Sequence, residues 1–254
     1  MNKILIANDK VNYYFDDKII YDETTDLVNK IKITVLKNTR LEIIISDSDI
    51  KYEIHIKAND NVKIFIKEVK INSKCKILYK YDLKDNSNLE LYKINDIIAN
   101  NERNIINLDG FNANAYVVLK TIGKNIEKYD FVINHNSCNT NSDITTHGVN
   151  LNGNIYFNVT TYISKGKKNC VANQSNRIIN LCNNECTIRP NLLIDEVDVI
   201  ANHSALIGSF KDDEIFYLER LGFDKNTANK LLMEGFLKSK IPFSLAKYYK
   251  KYWR

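Results

Sequence analysis

From Lys30 to about Ile200 the chain alternates apolar and polar residues with a period of two. The runs IleLysIleThrValLeu (31–36), LeuGluIleIleIle (41–45), TyrGluIleHisIle (52–56), ValLysIlePheIle (62–66) and CysLysIleLeuTyr (75–79) show it most plainly. Such a period belongs to half-buried strands, whose successive side chains face a core and water in turn. Ile, Val, Tyr and Thr fill these runs and suit a pleated surface. No stripe at helical spacing interrupts them before residue 210. Strands without intervening helices argue against βαβ units and a doubly wound sheet.

A second regularity is the Asn-x-Asn signal at 59–61, 86–88, 112–114, 134–136 and 152–154. Successive signals fall roughly 18–27 residues apart, in the band of stacked repeats. Asn tolerates the left-handed backbone and closes turns with its side-chain amide, and Asn residues at equivalent corners can hydrogen-bond from coil to coil. With the strand pattern, this predicts a mainly β chain folded as a β-solenoid, each coil burying apolar residues on its neighbours. A β-sandwich of hairpins is the competing architecture, weakened by the sparse glycine.

After Gly208 the period changes. Asp212 or Ser209 caps a predicted helix carrying Ile215, Phe216, Leu218 and Leu221, with Gly222 as its stop. Asp224 caps a second, with Ala228, Leu231, Leu232 and Phe236 at helical spacing. Pro242 opens a third, predicted to run through Leu245, Tyr249 and Trp253. The chain therefore divides into a β body over 1–208 and a helical region over 209–254. Helices this short need packing on the body, on each other or on a partner.

Composition adds exclusions. The 254 residues carry 36 Lys and Arg against 31 Asp and Glu, interspersed along the chain. Without a clustered basic stripe, nucleic acid is not an expected partner. No run of ~18 apolar residues spans a membrane, and the N-terminus breaks into charge too early for a signal sequence. A soluble, cytoplasmic protein is the expectation. Cys75, Cys138, Cys170, Cys182 and Cys186 are odd in number and scattered, which does not suggest a disulfide framework. No Gly-x-x-x-x-Gly-Lys-Ser/Thr loop is present, so the chain is not itself a P-loop ATPase.

From roughly Ala115 to Leu237 the chain resembles the SufB/SufD family, scaffold components of the SUF iron–sulfur cluster assembly machinery. The resemblance rests on SerAsnArg (175–177), IleArgProAsnLeuLeuIle (188–194) and AspValIleAlaAsnHisSerAlaLeuIleGly (198–208), followed by AspAspGluIlePheTyrLeuGluArgLeuGlyPhe (212–223) and LeuLeuMetGluGlyPhe (231–236). HisAsnSerCys (135–138) and ThrHisGlyVal (146–149) are weaker correspondences. Residues 1–114 carry no family motif, and the chain leaves no room for the family's usual N-terminal helical extension. The resemblance implies a right-handed parallel β-helix with a C-terminal helical region.

It further implies a non-catalytic scaffold subunit. Pairing with itself or with a SufB/SufD homologue runs through the β-helix, and a SufC-type ATPase binds the helical region. Ile215, Phe216, Leu218, Leu231, Leu232 and Phe236 are the candidate docking residues, with a two-helix core as the plainer reading of the same faces. His203 falls at the family's histidine and is the first candidate ligand for iron or a cluster; the plainer reading is a turn histidine bonded to backbone. No stably bound cofactor is expected; a transient iron–sulfur cluster is the implied cargo.

Ser175 stands near where SufB-type chains carry a cysteine, and no glutamate follows His203. Both departures place the chain nearer the SufD type or a reduced hybrid. Thiolate is the soft iron ligand, so that loss argues against hosting a cluster alone. Cys182 and Cys186, four apart, would face one side of an extended strand and could share a metal. His135 and Cys138 are a further ligand pair. A structural solenoid adaptor without cluster chemistry is the alternative function. A carbohydrate-active β-helix would need clustered acidic residues, whereas these are dispersed.

Overall fold

The computed structural model describes residues 2–25 and 29–248. The chain begins with β1 (Asn2–Ala7), β2 (Lys10–Tyr14), β3 (Ile19–Thr25) and β4 (Asn29–Val35). Then come β5 (Thr39–Ser46), β6 (Asp49–Ala58), β7 (Lys63–Ile71), β8 (Lys74–Leu83), β9 (Asn88–Asp96) and β10 (Ala99–Leu108). The body ends with β11 (Asn114–Gly123), β12 (Ile126–His135), β13 (Asn141–Asn150), β14 (Asn154–Ile163), β15 (Cys170–Asn180), β16 (Thr187–Ile194) and β17 (Val199–Gly208).

From β4 onward, even-numbered strands pair in one parallel sheet and odd-numbered strands in another. Each coil thus contributes one strand to each sheet, and about seven coils stack into a parallel β-solenoid. The N-terminal end differs: β2 and β3 are the outermost strands of the two sheets there, and both pair antiparallel, on β1 and β4. At the C-terminal end β16 and β17 are sheet edges.

Asparagine marks one corner. Asn61, Asn86, Asn112, Asn139 and Asn169 each adopt positive φ where the chain crosses from the even sheet to the odd. The Asn112 amide donates to Asn86 Oδ1 at 3.0 Å, one rung of an inter-coil ladder. Two of the Asn-x-Asn signals fall elsewhere. Asn134 lies within β12, and Asn152–Asn154 closes the opposite corner. Asp109–Gly110 and Asn152–Gly153, dipeptides suited to hairpins, also stand at corners. A Cβ on Gly110 would lie 2.0 Å from the Asp85 nitrogen, and one on Gly153 would lie 2.3 Å from the Asn125 carbonyl oxygen. Stacked corners approach too closely there for any side chain.

The interior is mostly Ile, Leu, Val and aromatic, as the alternation predicts. It also encloses charge. Glu68 and Lys70 on β7, Lys93 on β9 and Glu102 on β10 have fully buried side chains. Lys93 Nζ meets Glu68 at 2.8 Å and Glu102 at 2.9 Å, while Lys70 pairs with the same two carboxylates. Lys93 also lies 3.7 Å from the centre of the Tyr79 ring. Burial pushes the Glu102 carboxyl up, but Lys70 and Lys93 outweigh it and hold it at about 2. Two cations and two carboxylates, each paired twice, make this burial tolerable.

The helices cover one end of the odd sheet. The cap of α1 (Asp212–Arg220) is Lys211, not Asp212 or Ser209, and the Glu214 carboxylate accepts from the Lys211 N–H at 3.0 Å. Gly222 ends the turn with φ +94°. Asp224 caps α2 (Lys225–Lys238), accepting from the Thr227 N–H at 3.0 Å, and α3 (Phe243–Ala246) follows Pro242. The extension of α3 to Tyr249 and Trp253 lies outside the described residues. Phe210, Met233, Leu237 and Leu245 cover Val69, Ile94, Ile122, Val149 and Ile179, outward positions of the odd sheet.

Candidate functional site

The open end of the solenoid is formed by β16 and β17. β17 pairs with β15 in register, Gln174 opposite His203 and Asn176 opposite Ala205. Gln174 points inward, its amide donating to Thr161 Oγ1 at 2.9 Å and to the Asn191 carbonyl at 3.1 Å. In-register parallel neighbours share a face, so His203 occupies an interior position of the last coil. No further coil covers it among the described residues, and the imidazole is exposed. Ala205 and Ile207 share that face of β17, and Ile188, Leu192 and Ile194 continue it on β16, opposite Phe157, Thr161 and Ile163. The end is thus an apolar cross-section with one histidine set among aliphatic side chains, flanked by two strand edges.

The other candidate ligands do not converge on this end. His135 is buried, with Nδ1 at 2.7 Å from Thr140 Oγ1 and Nε2 at 2.9 Å from Ser142 Oγ. Burial lowers its pKa to about 4, so the ring is neutral and both nitrogens are engaged. Its neighbour Cys138 points elsewhere, its thiol 3.4 Å from the Gly166 carbonyl. Cys182 and Cys186 are not on a strand: they lie in the connection 181–186 between β15 and β16. Strand alternation therefore does not bring them together. The bend of the connection does, placing both sulfurs about the Asn150 amide at 3.2 and 3.1 Å. No group of three or more His, Cys, Asp or Glu side chains suited to a metal occurs among the described residues.

Residues 22–236 match the model of the SufBD core domain of SUF system FeS cluster assembly. The chain belongs to this family. The match begins well upstream of residue 115, so the coils without a recognisable motif are also part of the SufBD core. Their alternating strands carry the fold in their period, not in diagnostic side chains. A curated relative, the iron–sulfur cluster assembly protein SufD of Bacillus subtilis (strain 168), is 30% identical over 151 residues. That stretch is 59% of this chain and 34% of the relative, so the match spans about a third of SufD's length.

Within this SufBD core, the helical docking candidates divide by burial. Ile215, Leu232 and Phe236 pack into the cluster that joins helices to sheet, as a two-helix core would. Leu218 is half-buried. Phe216 and Leu231 are exposed, and Tyr217, Leu221, Phe223 and Phe243, none of them among the sequence candidates, are exposed as well. Helical spacing identifies an apolar stripe without saying which side of it meets the body.

Phe236 belongs to a junction that sequence reasoning missed. Lys120, His147 and Arg177 stand in one register column across β11, β13 and β15. The Phe236 ring stacks on His147, with centroids 4.4 Å apart and planes at 15°. Lys120 Nζ lies 5.3 Å and the Arg177 guanidinium 5.4 Å from its centre. Lys120 Nζ also donates to the Phe236 carbonyl at 3.0 Å and Ser239 Oγ at 2.9 Å, and sits 2.6 Å from His147 Nδ1. Burial, with Lys240 nearby, lowers the Lys120 pKa to about 7. Burial and the same cations lower that of His147 to about 3, leaving a neutral acceptor for Lys120. Only the register, set by coils 27 and 30 residues long, shows the column.

Proposed function

We propose that this chain is a non-catalytic scaffold subunit of a SUF-type iron–sulfur cluster assembly complex. It pairs through the open end of the solenoid with a second copy or a SufB/SufD homologue, and it binds a SufC-type ATPase through its helices. The observation carrying the pairing is the contrast between the two ends. The N-terminal end finishes in antiparallel strands, whereas the C-terminal end finishes in the parallel strands β16 and β17, with His203, Ala205 and Ile207 exposed at interior positions. Solenoid ends left so are surfaces for another chain. His203 presents an imidazole, a suitable ligand for iron, within that surface. The iron–sulfur cluster is cargo, held at the junction while the complex is assembled.

The ATPase reading is supported by family membership and by Phe216, Tyr217, Leu221, Phe223 and Leu231, exposed on and between α1 and α2. Solvated apolar residues gathered on two adjoining helices suit a protein partner. Anaerobic co-purification of the tagged chain with its host's SufC tests it. Stable binding by the whole chain, lost on removal of 211–254, is the expected result. Retained binding by the truncated chain would move the docking surface to the β body.

A further inference from the structure

The connection 181–186 holds two thiols that the scaffold reading does not use. Asn150, at the end of β13, is fully buried and locked to Gly153 in both directions. The Gly153 N–H donates to Asn150 Oδ1 at 2.9 Å, and Asn150 Nδ2 donates to the Gly153 carbonyl at 2.8 Å. That pairing fixes which way the amide points and uses one of its two hydrogens. The remaining hydrogen faces three acceptors: Asn180 Oδ1 at 3.0 Å, Cys182 Sγ at 3.2 Å and Cys186 Sγ at 3.1 Å. The two sulfurs are thus no farther apart than the sum of their distances to one nitrogen.

We propose that Cys182 and Cys186 are a reversible dithiol–disulfide pair, oxidised by a low-molecular-weight disulfide such as glutathione disulfide. The inference is independent of the scaffold reading. Both thiols are half-buried, open to a small reagent yet held together. They lie outside the strands, so drawing them into a bond breaks no ladder hydrogen bond. An amide N–H directed at the sulfurs opposes a bare cation between them, which separates this site from a metal pair.

The exchange proceeds in two displacements. Cys182 gives its proton to solvent, and its thiolate attacks the small disulfide, releasing one small thiol and leaving a mixed disulfide. The Cys186 thiolate then attacks the Cys182 sulfur and expels the second small thiol. Two protein thiols and one small disulfide become one protein disulfide and two small thiols, a transfer of two electrons. Burial raises the Cys186 pKa, with Cys182 and Glu185 adding to it, which suits Cys186 to the second, intramolecular step.

Equilibrating the whole chain in glutathione buffers of stepped ratio, then alkylating and mapping peptides by mass spectrometry, tests the pair. The expected result is a Cys182–Cys186 disulfide that forms and reduces with the buffer ratio, while buried Cys75 and Cys170 stay as thiols. Cys186→Ser should stop at a mixed disulfide on Cys182. The proposal fails if the unaltered chain keeps both thiols alkylatable throughout, stops at mixed disulfides, or links either cysteine elsewhere. The measurement on the unaltered chain decides it whether or not Cys186→Ser folds.

Discussion

Glu127 faces inward from β12 and is fully buried, with Oε2 bonded to Thr121 Oγ1 and, at 2.8 Å, to the Tyr129 hydroxyl. Burial pushes its carboxyl from 4.5 up to about 8, against those hydrogen bonds, with Asp96 adding to the rise. The folded chain therefore keeps a proton that the unfolded chain sheds near pH 4.5. Over that window the native state binds more protons, so this group's contribution is full below pH 4.5 and is lost as pH rises to about 8. Glu127→Gln keeps a neutral side chain of the same shape. The variant should match the parent at pH 4 and exceed it by a few kcal/mol above pH 8. Denaturant midpoints for both chains across pH 4–9 measure this. Taking the difference between the chains removes contributions from other groups, including Glu102 and Lys120. Equal slopes would show that Glu127 is already ionised in the fold.

At the scale of elements, the helical region is held to the solenoid by apolar packing and by polar contacts that include those of Lys120 to the Phe236 carbonyl and Ser239 Oγ. Lys120→Met keeps the aliphatic stem and deletes the contacts to Phe236, Ser239 and His147. Each lost bond is worth roughly 1 kcal/mol, and a buried acceptor left alone costs more. Hydrogen exchange should accelerate at least ~10-fold across α2 while β11 and β13 stay protected. Uniform acceleration would instead make the helices and body one cooperative unit.

The same elements show what the sequence could tell. Period two marked the strands because each has a dry side, and Asp224 and Gly222 marked helix ends through chemistry local to the chain. Nothing local marked Lys70 and Lys93 as buried, because the four-charge group closes only across β7, β9 and β10, with Glu102 32 residues beyond Lys70. Asn150 was equally silent: its partners at 180, 182 and 186 belong to the next coil. His203 was legible through resemblance alone, since its interior position follows from a register that no local pattern sets.

For the molecule as a whole, the decisive property is the unlikeness of its two ends. If the open end is the pairing surface, Ala205→Lys should place an ammonium among Ile188, Leu192 and Ile207 and abolish association without unfolding the coils beneath. His203→Ala should leave association intact and lower cluster yield in the reconstituted complex. Light scattering and visible absorbance separate the two effects. Association unchanged in Ala205→Lys would move the pairing surface off this end, and unchanged yield in His203→Ala would remove the imidazole from the chemistry.

Parallel strands with two free ends invite head-to-tail growth, in which each added chain exposes a fresh edge and a filament results. Here the N-terminal sheet edges are the antiparallel strands β2 and β3, so a chain joined through β16 and β17 offers no second edge of a parallel pair. Were β16 and β17 the pairing surface, two chains joined there would turn only antiparallel edges outward, and a finite pair rather than a filament is the assembly to expect.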